Sequence, residues 1–150
     1  KISNVNNLIK LNKLFCSRTP INYINSLINL ELLWCSNTTI NDLSNLIKLK
    51  TLCCLNSNIK HVNNLINLKE LYCDDSLISN VNNLINLTVL HCNNTPIINI
   101  NNLIKLKELY CENTYISNID NLINLEVLNC LESNISLTKK IRKRIKYINC

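Results

Sequence analysis

The chain has 150 residues, of which 47% are hydrophobic and 17% charged, so its composition is that of one globular domain with a core. It contains no Gly, Ala, Met or Gln, but 31 Asn. Gly-rich phosphate loops, the dinucleotide-binding fingerprint and the nucleophile elbow all depend on glycine backbone. The sequence therefore excludes these classes of enzyme site. Six of the 16 basic residues lie between Lys139 and Lys146. The other ten equal the acidic residues in number, so this segment accounts for the net charge of +6.

The ends and the composition of the chain lead to expectations about membrane segments, completeness and source genome. No apolar run approaches the roughly 18 residues that a membrane span requires, and no secretory leader opens the sequence. Because the first residue is Lys1 and no Met occurs, we expect a piece of a longer protein. The abundance of Asn, Ile and Lys favours an A+T-rich genome, such as that of a bacterium, a protist or a large DNA virus.

One pattern recurs every 19 residues along the chain. Each copy reads Leu-x-x-Leu-x-Cys-x-x-Thr/Ser-x-Ile, and seven copies run from Ile2 to Asn134 without a slip, followed by a partial eighth coil at 135–150. An uninterrupted repeat of this length predicts a stack of similar units. The cysteine of each copy is Cys16, Cys35, Cys54, Cys73, Cys92, Cys111 and Cys130.

This pattern resembles the leucine-rich repeat, and its continuation resembles the internalin-like class shortened by one triplet. The resemblance implies an α/β-type solenoid over residues 1–150, with short parallel strands on the concave side and loops and 3₁₀ turns on the convex side. A single coil cannot offset its own ordering entropy, so the coils must stack. Near the C-terminus, Leu137, Ile141 and Ile145 follow helical spacing and predict a short helix over 136–145, with Ser136 as its N-cap.

Seven cysteines share one inward position, which favours a column of buried, reduced thiols. Stacked disulfides and a metal site are the alternatives. Neither a Cys-x-x-Cys motif nor a histidine at ligand spacing occurs, so we expect no metal site and no cofactor. Reduced thiols indicate a reducing, cytoplasmic location, which for a viral protein means the host cytoplasm or the virion. Cys53, on the outward strand face, and Cys150, at the chain end, are expected to be the reactive thiols.

The resemblance further implies that outward strand positions form a binding face, and these positions vary between coils. One row of them holds the only Phe, the only Trp and two Tyr, which are residue types enriched at protein interfaces. Carboxylates surround the two tyrosines, so a Lys- or Arg-bearing protein or peptide is the natural complement. The predicted partner-binding residues are Phe15, Trp34, Glu70, Tyr72, Asp74, His91, Glu108, Tyr110 and Glu112.

The sequence thus predicts a non-catalytic recognition module, with no catalytic residue and no small-molecule substrate. One alternative is a structural or assembly component, for example a virion or scaffold part. A third hypothesis is contact with nucleic acid or an anionic membrane through the basic segment 139–146. The less specific interpretation of that segment is the solvated face of a helix, and the scarcity of aromatic residues within it disfavours base stacking.

Overall fold

The computed structural model describes residues 2–150, which form eight short strands and one helix. Every strand pairs in parallel with the next one along the chain, so the sheet order is β1 to β8. From β1 to β7, residues 19 apart lie side by side in the ladder, as the repeat predicts. The elements are β1 Lys13–Phe15, β2 Leu32–Trp34, β3 Thr51–Cys53, β4 Glu70–Tyr72, β5 Val89–His91, β6 Glu108–Tyr110, β7 Val127–Asn129, α1 Lys139–Arg144 and β8 Tyr147–Asn149.

The core is a set of parallel columns, each contributed by one repeat position. In a central coil six apolar side chains point inward and have no exposed surface, which confirms the predicted pattern. Stacking buries both faces of each layer, so the coils stabilise one another where a single coil would not fold. The six are Leu68, Leu71, Cys73, Ile78, Val81 and Leu84.

After each of the first seven strands the chain turns a corner through a residue with positive φ, between 48° and 58°, although the sequence has no glycine. Asn and Asp tolerate this left-handed region better than other side chains, and they occupy the five internal corners. At five of the seven corners a hydroxyl three residues after the column cysteine donates to the carbonyl of that cysteine; for example, Thr95 Oγ1 donates to the carbonyl of Cys92 at 2.6 Å. The corner residues are Arg18, Asn37, Asn56, Asp75, Asn94, Asn113 and Glu132.

The return on the opposite side of each coil consists of two consecutive turns. In one coil the Leu84 N–H donates to Val81 O at 3.0 Å and the Leu87 N–H donates to Leu84 O at 2.9 Å, which is the i to i+3 bonding of a 3₁₀ turn. Asparagine side chains link these returns to the preceding coil. Asn86 Nδ2, for instance, donates to Ile66 O at 3.0 Å.

The C-terminal helix is shorter than the sequence predicted. It begins at Lys139 and its N-cap is Thr138, whose Oγ1 accepts from the Ile141 N–H at 3.3 Å, so the assignment of Ser136 as N-cap is wrong. Thr138 has extended backbone directly before the first helical residue, which is the geometry that an N-cap needs. Ile141 and Ile145 are buried, so the helix covers the end of the core. The helix has six residues, and within residues 2–150 no helix has the length and hydropathy that a membrane span needs.

The cysteine column is present, with one correction. Six of its members are free and buried, and burial raises the pKa of Cys16 to about 11 and that of Cys111 to about 12. Cys130, however, forms a disulfide with Cys150, so the predictions that Cys130 is reduced and Cys150 reactive are wrong. The pairing of Asn129 with Asn149 places the two following cysteines side by side, which makes Cys150 the last member of the column.

Candidate protein-binding site on the strand face

The outward residues of three central strands form a contiguous surface. Strands β4, β5 and β6 each contribute two outward residues, and the first residue after the column cysteine contributes a third. We call these nine positions the acidic panel, because they carry four carboxylates and neither lysine nor arginine. All nine side chains are partly exposed. The panel consists of Glu70, Tyr72, Asp74, Val89, His91, Asn93, Glu108, Tyr110 and Glu112.

Three aromatic rings stack along the centre of the panel. The ring centroids of Tyr72 and His91 lie 4.8 Å apart at an interplanar angle of 54°. Those of His91 and Tyr110 lie 4.1 Å apart at 25°, which is a stacked geometry. The parallel register places these residues directly beside one another, one per strand. The result is a rigid aromatic strip that exposes ring surface to solvent.

Carboxylates flank the strip on both sides. Glu70 and Glu108 lie on one side, two strands apart, and Glu70 Oε2 accepts from Thr51 Oγ1 at 3.3 Å. On the other side Asp74 Oδ1 accepts from the Asn93 N–H at 2.7 Å. Asp74 therefore also supports the fold, because its side chain satisfies a backbone donor of the next coil. Its second carboxylate oxygen makes no hydrogen bond to the described residues and is free to accept from a partner.

Burial and charge set the protonation of this strip. Partial burial lowers the pKa of His91, against the opposing pull of Asp74 and Glu108, which favours the neutral form of the imidazole. Burial also raises the pKa of Asp74, although the Asn93 N–H works in the other direction. The pKa of Tyr72 is raised by burial and then by Glu70 and Glu108. The panel is therefore anionic around a neutral aromatic centre.

The two remaining predicted residues lie outside the panel. Phe15 and Trp34 pair edge to face, with ring centroids 5.1 Å apart. Trp34 is joined to the panel by a depression of about 360 Å³, whose lining includes Cys53 and Leu55. The sequence-based prediction of the site did not include Cys53 and Leu55, although both occupy outward positions of the same rows. The depression is lined by Trp34, Cys53, Leu55, Tyr72, Asp74 and His91.

The arrangement has the properties of a binding surface. Cys53 and His91 lie on strands separated by β4, and within residues 2–150 no hydrogen bond joins the thiol to the imidazole; Cys53 Sγ instead lies 3.4 Å from Ser36 Oγ. Within residues 2–150, no three His, Cys, Asp or Glu side chains come together in an arrangement that could hold a metal ion. Exposed aromatic rings framed by carboxylates can instead contact a cation through ring faces and charge-assisted hydrogen bonds.

The chain matches no protein-family model and no curated protein sequence. Its structure is similar to that of an internalin, InlF, from Listeria monocytogenes, with a TM-score of 0.78 and 23% identity over 100% of this chain and 52% of that one. A leucine-rich repeat protein from Leptospira interrogans aligns with a TM-score of 0.72 and 23% identity, over 93% of this chain and 42% of that one.

The functional domain of InlJ from Listeria monocytogenes, described as including a cysteine ladder, aligns with a TM-score of 0.64 and 17% identity. That alignment covers 97% of this chain and 45% of InlJ. The chain thus spans about half the length of these three structures. The 19-residue coils, the single parallel sheet and these likenesses lead to one conclusion: the chain has the leucine-rich repeat fold, in a short internalin-like form.

Proposed function

We propose that this chain is a non-catalytic recognition module whose acidic panel binds a basic segment of a partner protein. The observation that carries the proposal is the stacked strip of Tyr72, His91 and Tyr110 with carboxylates along both sides. Rigid aromatic residues lose little conformational entropy on binding, so they are effective interface anchors. The likeness to internalins and other leucine-rich repeat structures supports a role as an interaction scaffold.

The chemistry of the panel determines which partner fits. A lysine or arginine side chain placed over Tyr72 contacts the ring face and reaches the carboxylates of Glu70 and Asp74. The opposite end of the strip offers Tyr110 with Glu108 and Glu112. Two cationic side chains separated by about 10 Å, which is two strand spacings, would occupy both ends together. We therefore propose an extended peptide with two spaced basic residues.

A peptide selection on the immobilised chain tests this proposal. Random peptides displayed on phage should be enriched for spaced Lys and Arg on the native protein, and the combined change Tyr72→Ala and Tyr110→Ala should remove this enrichment. The matched control is Tyr23→Ala with Tyr115→Ala, which removes two exposed tyrosines elsewhere on the coil. Loss of enrichment in both double variants, or enrichment of peptides without basic residues, would count against the panel.

A second candidate function, as an assembly component, is favoured by a different surface. One isoleucine per coil stands on the return side with 51–64% of its surface exposed, which forms a regular apolar row. Such rows on soluble proteins mark association surfaces. Sedimentation of the native chain and of the Ile47→Asn, Ile85→Asn double variant tests this role, because only association through the row would make the two differ. The row is Ile9, Ile28, Ile47, Ile66, Ile85, Ile104 and Ile123.

The contacts of the basic segment 139–146 favour a cap over a binding site for nucleic acid or membrane. The Arg144 guanidinium donates to the carbonyls of Ile119 and Asp120, each at 3.4 Å. Lys146 forms a salt bridge with Glu126. These two basic residues thus hold the helix and β8 against the preceding coil. The other four are exposed and complete the solvated face of the helix.

A further inference from the structure

Lysine residues gather on the edge of the sheet where the chain enters each strand. Five of the ten basic residues that precede the C-terminal segment lie at these positions in the central coils. The acidic panel lies on the outward face beside them, so the formal neutrality of this part of the chain conceals two surfaces of opposite charge. The five residues are Lys48, Lys50, Lys69, Lys105 and Lys107.

Four of these lysines line a cavity of about 620 Å³, which we call the lysine groove. Glu31 is the single carboxylate in its lining, so the lining carries three net positive charges (4 − 1 = 3). A volume of this size matches that of small-ligand sites, which run from about 300 to 1,000 Å³. The groove is lined by Glu31, Lys48, Lys50, Asn67, Lys69, Asn86, Thr88 and Lys105.

The ammonium groups keep most of their hydrogen-bonding capacity. Lys50 Nζ pairs with Glu31 at 2.8 Å, and Lys105 Nζ donates to Asn86 Oδ1 at 2.7 Å. Each ammonium carries three donors, so two remain on each of these lysines. Lys69 lies between them, and within residues 2–150 its Nζ has no hydrogen-bond or ion-pair partner. The neutral side chains of the lining also bond within the fold: Thr88 Oγ1 donates to Lys69 O at 3.0 Å, and the Nδ2 atoms of Asn67 and Asn86 each donate to a carbonyl of the preceding coil.

The spacing of the lysines defines the ligand. Lys50 and Lys69 belong to adjacent coils and Lys105 to the coil two further on, so their backbones span about 14 Å at about 4.8 Å per coil. Lysine binds phosphate as a point charge and needs no planar geometry. No aromatic ring and no guanidinium lines the groove, which leaves bases of a nucleic acid without a stacking surface. The groove therefore suits a compact ligand with several anionic groups.

We propose that the lysine groove binds a small soluble molecule that carries two or more phosphate groups. The phosphate groups neutralise the lysine ammonium groups that the fold holds close together. Lys69, which lies between Lys50 and Lys105, contacts the middle of the ligand. This site is independent of the acidic panel, because its residues and its charge are different. It is a site for a bound ligand, and the proposal assigns no reaction to it.

Calorimetric titration of the full chain with inorganic tripolyphosphate tests the assignment. The native protein should bind one equivalent, and the Lys69→Gln, Lys105→Gln double variant should bind at least about tenfold more weakly. The matched control is Lys10→Gln with Lys60→Gln, which removes the same two charges from exposed positions elsewhere and should change affinity less than about twofold. No binding by the native chain, or equal weakening in both double variants, overturns the proposal.

A second arm separates small phosphates from nucleic acid. A fluorescent single-stranded oligonucleotide is titrated into the same three proteins, and tripolyphosphate is then added to each complex. We expect tripolyphosphate to displace any oligonucleotide that the groove holds. The displacement should occur at a tripolyphosphate concentration near the dissociation constant that calorimetry gives for tripolyphosphate. An oligonucleotide whose binding requires Lys69 and Lys105 but resists that displacement would overturn the assignment in favour of a nucleic-acid site.

Discussion

The imidazole of His91 stacks on the phenol ring of Tyr110, with centroids 4.1 Å apart and 25° between the ring planes. Both residues occupy outward positions of adjacent strands, so the fold imposes this contact through the ladder register. The contact ties the chemistry of the acidic panel to pH, because His91 changes its charge when it titrates.

Acidification should destabilise the chain through His91. Its pKa is lower in the folded than in the unfolded protein, where it is about 6.5, so the unfolded state binds the proton more tightly. The contribution of His91 is therefore intact above pH 6.5 and is lost as the pH falls from 6.5 through the folded pKa. The His91→Gln variant should lose less melting temperature between pH 7 and pH 5 than the native chain. His61→Gln, on the exposed return side, is the matched control for replacing a histidine with glutamine outside the acidic panel.

Asp74 should act with the opposite sign. Its folded pKa is raised, so its stabilising contribution is present at low pH and is lost as the pH rises from 3.8 through the folded pKa. Asp74→Asn keeps an oxygen for the Asn93 N–H and should stabilise the chain at pH 7 by roughly 0.5 kcal/mol, a value discounted because the side chain is partly exposed to solvent. Chemical denaturation at pH 7 measures the change. A destabilisation of similar size would show that the ionised form is the favoured one.

The left-handed corners should respond to the choice of side chain. Glu132→Asn places a residue suited to positive φ at a corner where φ is 55°, and should stabilise the chain by about 0.5–1 kcal/mol. Asn94→Ala should cost about 1–2 kcal/mol, because it also removes the 2.9 Å hydrogen bond from Asn94 Nδ2 to Asp75 Oδ1. Glu132→Gln is the neutral control. Urea unfolding of the three variants provides the comparison, and equal stabilities would contradict the role of the corners.

Thiol chemistry should divide the nine cysteines into three groups. Alkylation of the native chain should label Cys53 alone, since six column thiols are buried and Cys130 is paired with Cys150. Denaturation should add six labels, and reduction should add the last two. Intact-mass spectrometry counts the labels at each stage. Rapid labelling of several column thiols in the native protein would mean that the coils open readily.

Removal of residues 135–150 should expose the last layer of the core. The truncated chain loses Ile141, Ile145 and strand β8, which leaves an apolar surface and an unpaired strand edge. We expect aggregation, which light scattering measures, and a lowered melting temperature, which circular dichroism measures. A monomeric product with unchanged melting would show that the segment is not a cap.

The repeat could be predicted from the sequence because each core position recurs with one residue type. The positions of Leu71 and Cys73 hold Leu and Cys in all seven repeats, which predicts that both side chains point inward. The 19-residue period also predicts the strand register. The disulfide of Cys150 was missed because its pairing depends on how the longer last coil closes. The helix cap was misplaced because Ser136 and Thr138 both carry capping hydroxyls, and the local backbone decides between them.

For the candidate site, the sequence predicted which residues are neighbours but not the contacts of their side chains. Row assignments placed Tyr72, His91 and Tyr110 together, since strand register alone determines that neighbourhood. The double role of Asp74 was not predictable, because its bond to the Asn93 N–H depends on side-chain rotamer and corner geometry. The lysine groove was not predicted, because its four lysines occupy two repeat positions in three coils and line one groove only when the coils stack.

The most direct test of the account is an amide shift titration of the ¹⁵N-labelled chain with a lysine- and arginine-rich peptide recovered in the selection. Binding at the acidic panel predicts the largest shifts within residues 70–74, 89–93 and 108–112, and their loss in the Tyr72→Ala, Tyr110→Ala variant. Shifts concentrated in residues 139–146, or along the exposed isoleucine row, would contradict the central claim that the strand face is the recognition surface.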